Sequence, residues 1–336
     1  MHNIKAFDAS LEALINLLQD GGIHSGESLG NKLGVSRAAI WKHLSKLDQF
    51  GIGLETIKGQ GYRIPNGLDL LDLKRIQRTL PDNIKSSINE IIFSPIVSST
   101  NQMLLDRIRQ HQNIHQVICL TEMQSQGRGR RGRSWESPFA SNIYLSMAWK
   151  FERGIAAVEG LSLVVGLAVY RALLQLNFKV GLKWPNDLLY EGKKLGGILV
   201  EISGDVSGDC FVVIGLGVNV RMPPTSAENI DQPWIDLKTI AKAERFEKIV
   251  NRSDLVATIL IQLIPMLEKF GDSGFAPFKN EWESAHVYQG QRVNLNTGSQ
   301  YISGTVLGVN ENGALRLDVA GSEQVVVGGE VTLRGV

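Results

Sequence analysis

Residues 127–135 read Gly127-Arg128-Gly129-Arg130-Arg131-Gly132-Arg133-Ser134-Trp135, with four arginines and three glycines in the first seven positions. The spacing matches a dinucleotide-binding GxGxxG, but that motif needs a strand before its glycines and a helix after them. Here the apolar run Val117-Ile118-Cys119-Leu120 comes first, and Ser137-Pro138 and the strand-like Asn142-Ile143-Tyr144-Leu145-Ser146-Met147-Ala148-Trp149 come after. The order is strand, loop, strand, which excludes a doubly wound fold built on this turn. Guanidinium groups this dense repel one another unless an anion sits among them, and the glycines let backbone amides approach it closely. A solvated basic loop is the alternative; the alternation of Gly and Arg, closed by an aromatic, favours ligand binding.

The rest of the chain sets the bounds. At 336 residues it holds two or three domains, since a domain usually has on the order of 100 to 200 residues. The hydrophobic fraction of 43% is that of a globular protein. With 35 Lys+Arg against 34 Asp+Glu the formal net charge is +1, so any nucleic-acid contact must come from a local patch. Cys119 and Cys210 both lie in apolar runs, where a free thiol is a small hydrophobe and a reducing cytoplasm the simplest setting. No basic start leads into a long apolar core, and the most apolar stretch, Leu161 to Leu176, is interrupted by Arg171 and Gln175. It reads as a core helix rather than a membrane span, which needs about 18 to 20 apolar residues. A soluble cytoplasmic protein is expected.

Residues 7 to 18 place Leu11, Leu14, Ile15, Leu17 and Leu18 at helical spacing, and Asp20-Gly21-Gly22 stops them. A short helix over Ser25 to Leu33 ends at Gly34, and a basic one runs from Ser36, a good N-cap, to Leu47. The segments Ile52 to Ile57 and Gly61 to Ile64 form strands around the turn Lys58-Gly59-Gln60-Gly61. Helix-turn-helix plus hairpin resembles a winged-helix DNA-binding domain. From 36 to 63 there are five Lys/Arg (Arg37, Lys42, Lys46, Lys58, Arg63) against Asp48 and Glu55. Arg37, Lys42, Lys46 and Lys58 are the candidate DNA contacts, with Ile40, Leu44 and Leu47 on the buried face; Trp41 fits either role, and a protein-docking module is the alternative.

Pro65-Asn66-Gly67 marks a linker. Ile91 to Phe93 is a strand leading into Val97-Ser98-Ser99-Thr100-Asn101 and a helix over Gln102 to Arg109. Ser99, Thr100 and Asn101 either cap that helix or hydrogen-bond a small neutral head group such as a ureido ring. Val158 to Leu176 is a long apolar helix. The run Gly181-Leu182-Lys183-Trp184-Pro185-Asn186-Asp187-Leu188-Leu189-Tyr190 then turns at Glu191-Gly192-Lys193 into a strand, Lys194 to Ile202. Lys194 either projects one ammonium into a crowded site or is an exposed hairpin lysine. Cys210 to Val220 is a buried strand whose Gly215 and Gly217 admit a ligand to the backbone. Residues 222 to 232 turn polar and proline-bearing and read as a lid before Trp234. Residues 252 to 270 form an apolar helix, and short strands broken by Gly290, Gly298, Gly304, Gly308, Gly313 and Gly328-Gly329 suggest a small SH3-like barrel.

Together, Ser99-Thr100-Asn101, Gln124, Gly127 to Trp135, Lys183-Trp184-Pro185-Asn186-Asp187, Lys194-Leu195-Gly196-Gly197 and Gly215-Leu216-Gly217-Val218-Asn219 resemble the bifunctional biotin–protein ligase and biotin-operon repressor family. The resemblance covers the whole chain. It implies an α+β protein with a winged helix-turn-helix (1–65), a mixed-sheet catalytic domain of the class II synthetase-like kind (66–273) and an SH3-like β-barrel (274–336). It implies attack of biotin's carboxylate on the α-phosphate of ATP, then transfer of biotin from biotinyl-5′-adenylate to a lysine of the biotin carboxyl carrier protein of acetyl-CoA carboxylase.

By the same resemblance Ser99, Thr100, Asn101 and Gln124 hold the biotin ring, and Arg128, Gly129 and Arg130 enclose the intermediate. Lys194 contacts the carboxylate and α-phosphate; Gly127, Arg133, Asn219 and Trp234 serve the adenylate. Lys183 and Asp187 join Arg130 and Lys194 in the catalytic set, with Asp187 orienting or deprotonating the carrier lysine or else pairing structurally with Lys183. Mg²⁺ bridges phosphates, with no dedicated protein metal ligands. The expected partners are the carrier protein, operator DNA and a second copy, pairing through the edge at Gly197 to Ile202 when biotinyl-AMP is bound. A ligase without repressor activity is the main alternative; a lipoate-attaching enzyme and a biotin sensor with a dead catalytic site are less well supported by the arginine loop and Lys194. Gly196 departs from the family pattern, which often has alanine there.

Overall fold

The computed structural model describes residues 7–110, 113–152, 158–204, 210–247, 249–297 and 300–332. Three helices open the chain: α1 (Ala9–Leu18), α2 (Gly26–Leu33) and α3 (Arg37–Leu44). Each begins at a side chain that takes up an orphan amide, since Asp8, Ser25 and Ser36 accept from the backbone N–H groups of Leu11, Ser28 and Ala39. Gly34, at φ +68°, lets α2 end in the left-handed region. The third helix stops at Leu44, three residues short of expectation; Ser45 donates to the Lys42 carbonyl and the chain tightens into a 3₁₀ turn, Leu47–Phe50. Leu11, Leu14, Ile15, Leu18, Leu29, Ile40, Leu44 and Leu47 form the core between them. The hairpin of β1 (Glu55–Ile57) and β2 (Gly61–Arg63) follows, shorter than the sequence suggests because Ile52 is spent in that core.

The middle of the chain runs α4 (Leu73–Thr79), α5 (Asp82–Ser86), β3 (Glu90–Val97), α6 (Thr100–Arg109), β4 (Val117–Gln124), β5 (Ile143–Phe151), α7 (Leu161–Gln175), β6 (Gly181–Lys183), β7 (Asp187–Tyr190), β8 (Lys193–Gly204), β9 (Cys210–Val218), α8 (Pro224–Ala227), α9 (Leu237–Ala243) and α10 (Arg252–Ser273). The strands form one sheet in the order β3-β4-β5-β9-β8-β7-β6, with β3 parallel to β4 and the other pairs antiparallel. Strand alternation divides it into two faces. Ile118, Leu120, Leu145 and Met147 pack with α7 and α10, whereas Val117, Cys119, Ala148 and Val213 meet Leu104 and Leu105 of α6.

After α10 come α11 (Lys279–Ala285) and β10 (Arg292–Asn296), β11 (Tyr301–Val309), β12 (Leu315–Val319), β13 (Ser322–Val326) and β14 (Glu330–Thr332). They make a five-stranded antiparallel sheet, β13-β12-β11-β10-β14. Among the described residues β13 and β14 are its edges and do not pair with each other, so the pairings stop short of a closed barrel; Gly298 lies outside the described residues. This tail sits against the central sheet. Trp184 donates from Nε1 to the Gly313 carbonyl at 2.9 Å, and Val287 donates to the carbonyl of Leu182 in β6.

Candidate active site

The arginine loop is closed on itself. Trp135 donates its amide to Gly127 at 2.9 Å and Gly129 donates to Arg133 at 2.7 Å, making a bridge between Arg128 and Ser134. A Cβ on Gly127 would lie 2.3 Å from the Trp135 carbonyl oxygen, so this glycine is needed for loop closure. The closed loop turns Arg128, Gly129, Arg130, Arg131 and Arg133 into a cavity over the sheet. Arg131, not singled out from sequence, holds φ +56° at the loop's apex. Arg128 donates to Glu201 at 3.0 Å and Arg130 to the Oδ1 of Asn186 at 2.9 Å.

The stretch Ser99 to Asn101 lies at the foot of the cavity. Ser99 is the N-cap of α6, while Thr100 and Asn101, 4% and 3% exposed, turn inward beneath the loop. Gln124 accepts the Thr100 amide at 2.9 Å and donates to Ser137 at 3.1 Å. The buried hydroxyl of Ser146, from β5, lies 2.6 Å from Thr100 Oγ1 and 2.5 Å from Asn101 Oδ1. Gly215 is occupied by the Asn101 amide rather than held open for a ligand, because a Cβ there would come 2.3 Å from Asn101 Oδ1. Gly217 likewise makes room for the Trp135 ring, 2.5 Å from where its Cβ would be. A Cβ on Gly196 would lie 2.8 Å from the Gly217 carbonyl oxygen, so in this backbone alanine requires a shift.

The opposite wall comes from the hairpin β6–β7. Lys183 and Asp187 are register partners across the hairpin, and the Asp187 carboxylate pairs with Lys194 of the neighbouring strand at 2.9 Å. Lys194 is 17% exposed and lies 5.6 Å from the Trp135 ring, which sets aside the exposed hairpin lysine. The turn before it is Glu191-Gly192, and Lys193 already belongs to β8. Asn186, which sequence reasoning quoted without a role, is fastened by its Nδ2 to the Ile198 carbonyl at 2.8 Å and offers Oδ1 to Arg130. Tyr288 from the tail approaches this wall, its phenol pushed up by burial and then by the Asp187 carboxylate.

A second cavity adjoins the first. Arg133, Ser134, Trp135, Lys194 and Gln232 line both, and Glu136, Asn219, Met222, Asn229, Ile230, Asp231 and Trp234 complete the second. Residues 222–232 carry the short α8, and the chain just beyond them is stitched to β8: Lys194 donates to Pro233 and Ile235 donates to Lys194, both at 2.9 Å. Two buried polar atoms here, Nε1 of Trp135 and Oδ1 of Asn219, have no hydrogen-bond partner among the described residues. A donor and an acceptor left unpaired are costly unless a ligand takes them.

In the N-terminal domain Arg37, Lys42 and Lys58 are exposed and Trp41 is 65% exposed, which places Trp41 outside the core. Lys46 is half-buried and held by Asp8 at 3.0 Å, so its charge is already partly spent.

A helix-turn-helix is joined to a sheet whose two cavities meet at one lysine. Models of the HTH domain, the Biotin/lipoate A/B protein ligase family and the Biotin protein ligase C terminal domain match residues 10–63, 93–219 and 288–334. The bifunctional ligase/repressor BirA proteins of Salmonella typhimurium and Escherichia coli are each 40% identical over 322 residues, 96% of both chains. A biotin protein ligase from Aquifex aeolicus, solved with biotin and ATP, superposes with a TM-score of 0.61 at 29% identity, over 74% of this chain and 99% of that one. The chain belongs to the biotin protein ligase family and, with its helix-turn-helix, to the bifunctional ligase/repressors within it.

Proposed function

We propose that the first cavity holds biotin and the second the adenosine of ATP, with the reacting groups meeting at Lys194. The observation that carries this is the shared wall: Arg133, Trp135 and Lys194 face both cavities. Two anions must meet, so cations have to neutralise carboxylate and phosphate while water is excluded. A biotin carboxylate oxygen attacks the α-phosphorus, the α–β bridging P–O bond breaks, and pyrophosphate departs with its electron pair. Ser99, Thr100, Asn101 and Gln124 hold the ring, Arg128, Gly129 and Arg130 cover the adenylate, and Asn219 and Trp234 flank the adenine. An incoming anion displaces Asp187 from Lys194 and leaves it beside the arriving carrier lysine. That amine attacks the acyl carbon, AMP leaves, and Asp187 takes the surplus proton. Lys183 adds positive charge to the same wall. Mg²⁺ bound with the nucleotide would supply charge neutralisation at the phosphates.

The acceptor is the biotin carboxyl carrier protein of acetyl-CoA carboxylase, in keeping with a relative from Mycobacterium tuberculosis named biotin–[acetyl-CoA-carboxylase] ligase, 31% identical over 69% of this chain. Among the described residues no helix is long and apolar enough to cross a membrane. We divide the chain at 65/66 and 273/274, where the linker Pro65-Asn66 and the end of α10 fall, and infer that the tail sheet curls as an SH3-like barrel. Pairing of adenylate-loaded copies uses the edge of β8: β7 accompanies β8 as far as Gly197 and Asn186 takes both backbone groups of Ile198, so the edge available on that side is 200–204, with Ile202 exposed. Carrier and second copy compete for this edge.

A gel shift on the promoter of the protein's own operon, without ligand, with biotin, and with biotin plus ATP, tests the whole reading. A shift only with biotin plus ATP establishes adenylate-coupled repression; no shift beside normal carrier biotinylation leaves a ligase that does not repress. Sedimentation under the same conditions tests pairing, and an unchanged monomer mass would overturn it.

A further inference from the structure

Glu201 lies on β8 behind the polar cluster under the first cavity, and nothing in the chemistry above uses it. Its Oε2 accepts from Asn101 Nδ2 at 2.7 Å and from Arg128 at 3.0 Å. A carboxylate only accepts, so Asn101 must present its NH₂ to Glu201 and its carbonyl to Ser146. The Ser146 proton is therefore donated to Asn101 Oδ1, across 2.5 Å. Ser146 has a single proton, so its 2.6 Å contact with Thr100 Oγ1 needs the proton of Thr100. The longer approach of Thr100 Oγ1 to Gln124 Oε1, 3.1 Å, then carries none, and that oxygen keeps only the Thr100 amide as donor.

We infer that Glu201 is a positioning residue which sets the direction of this relay, from Thr100 through Ser146 and Asn101 to the carboxylate. With the relay so polarised, Thr100 Oγ1 and Gln124 Oε1 both keep lone pairs for a ligand. The cluster becomes an acceptor surface matched to a cyclic urea, whose two ring N–H groups donate. The same carboxylate anchors Arg128, so the head-group floor and the covering loop are tied at one atom. The inference rests on the first cavity being the biotin site.

The full-length protein is titrated with biotin and with the cyclic-carbamate analogue, in which one ring N–H is an oxygen. The wild type should prefer biotin by about 10- to 100-fold, because the analogue leaves a buried acceptor unpaired. In E201Q the glutamine amide can donate to a flipped Asn101, the relay loses its direction, and the preference should fall by roughly 10-fold, most of it as weaker biotin binding. E201D should restore part of it. S146A, which removes one oxygen from the middle of the relay, should show the same fall and serves if E201Q does not fold. An unchanged preference in both variants would overturn the inference, and if both ligands weaken together Glu201 has only a structural role. A wild type that binds neither ligand would instead overturn the biotin site itself.

Discussion

Gly217 and Arg130 show how single residues act in this site. Gly217 is needed because the Trp135 ring lies where its Cβ would be, and Trp135 in turn faces Lys194. Gly217→Ala should displace the indole and lower kcat/KM for adenylate formation roughly 100-fold, the scale of a misplaced catalytic wall, in a pyrophosphate-exchange assay. Wild-type exchange would mean that the ring position is immaterial. Arg130 is steadied by Asn186 and covers the cavity. Arg130→Gly should release biotinyl-adenylate about 10- to 100-fold faster, the worth of one charge-assisted hydrogen bond, and label bystander lysines. Labelling confined to the carrier would refute its retention role.

At the scale of elements the tightest junction is polar. Arg252, at the start of α10, is fully buried; it donates to Glu122 of β4 at 2.6 Å, to the Asp69 carbonyl at 2.7 Å, and to the Asn142 carbonyl. Glu122 also accepts the Leu71 amide, and Asn142 accepts the Val220 amide just before the lid. One guanidinium thus joins the segment after the N-terminal domain, the central sheet, α10 and the root of the lid. Arg252→Met leaves the Glu122 carboxylate buried without its cation and should cost about 3 to 5 kcal/mol in urea denaturation. The double variant Arg252→Met/Glu122→Leu should recover much of that, and a small effect of the single variant would show that water reaches the site.

For the molecule as a whole, the tail meets the catalytic sheet around His286. Its ring stacks on Trp282 with centroids 4.7 Å apart, and burial pushes its pKa down to about 4, with Gln289 pulling weakly the other way. In the unfolded chain the group titrates near 6.5, so as pH falls the unfolded state takes the proton first. Stability is complete above pH 6.5, declines as the pH drops toward 4, and loses nothing further to this group below that. The full window is worth about 3 kcal/mol. His286→Phe should flatten the pH dependence of the urea midpoint between pH 6.5 and 4, and an unaltered slope would assign it to other groups. At the other end, Phe7 lies 5.6 Å from the Phe139 ring, so the DNA-binding domain packs on the same 139–142 segment that Arg252 holds.

The local features were legible in the chain because their causes are local. The cap at Ser36, the apolar run Val117 to Leu120 and a glycine-arginine loop between strands all follow from spacing and side-chain chemistry. The cluster Ser99 to Asn101 and the lysine at 194 were visible as candidates for the same reason. Pairings between distant strands were not. Ser146 beneath Asn101, Glu201 behind it, Asn186 under Arg130 and the pairing of Asp187 with Lys194 depend on strand register, which sets side chains from separate segments at hydrogen-bond distance. Glycines at 127, 215 and 217 read as openings for a ligand, but folding fills each with the chain's own atoms. Residue types and their periodicity thus determine which elements form and which chemistry they carry, whereas register and close packing decide which of those groups meet.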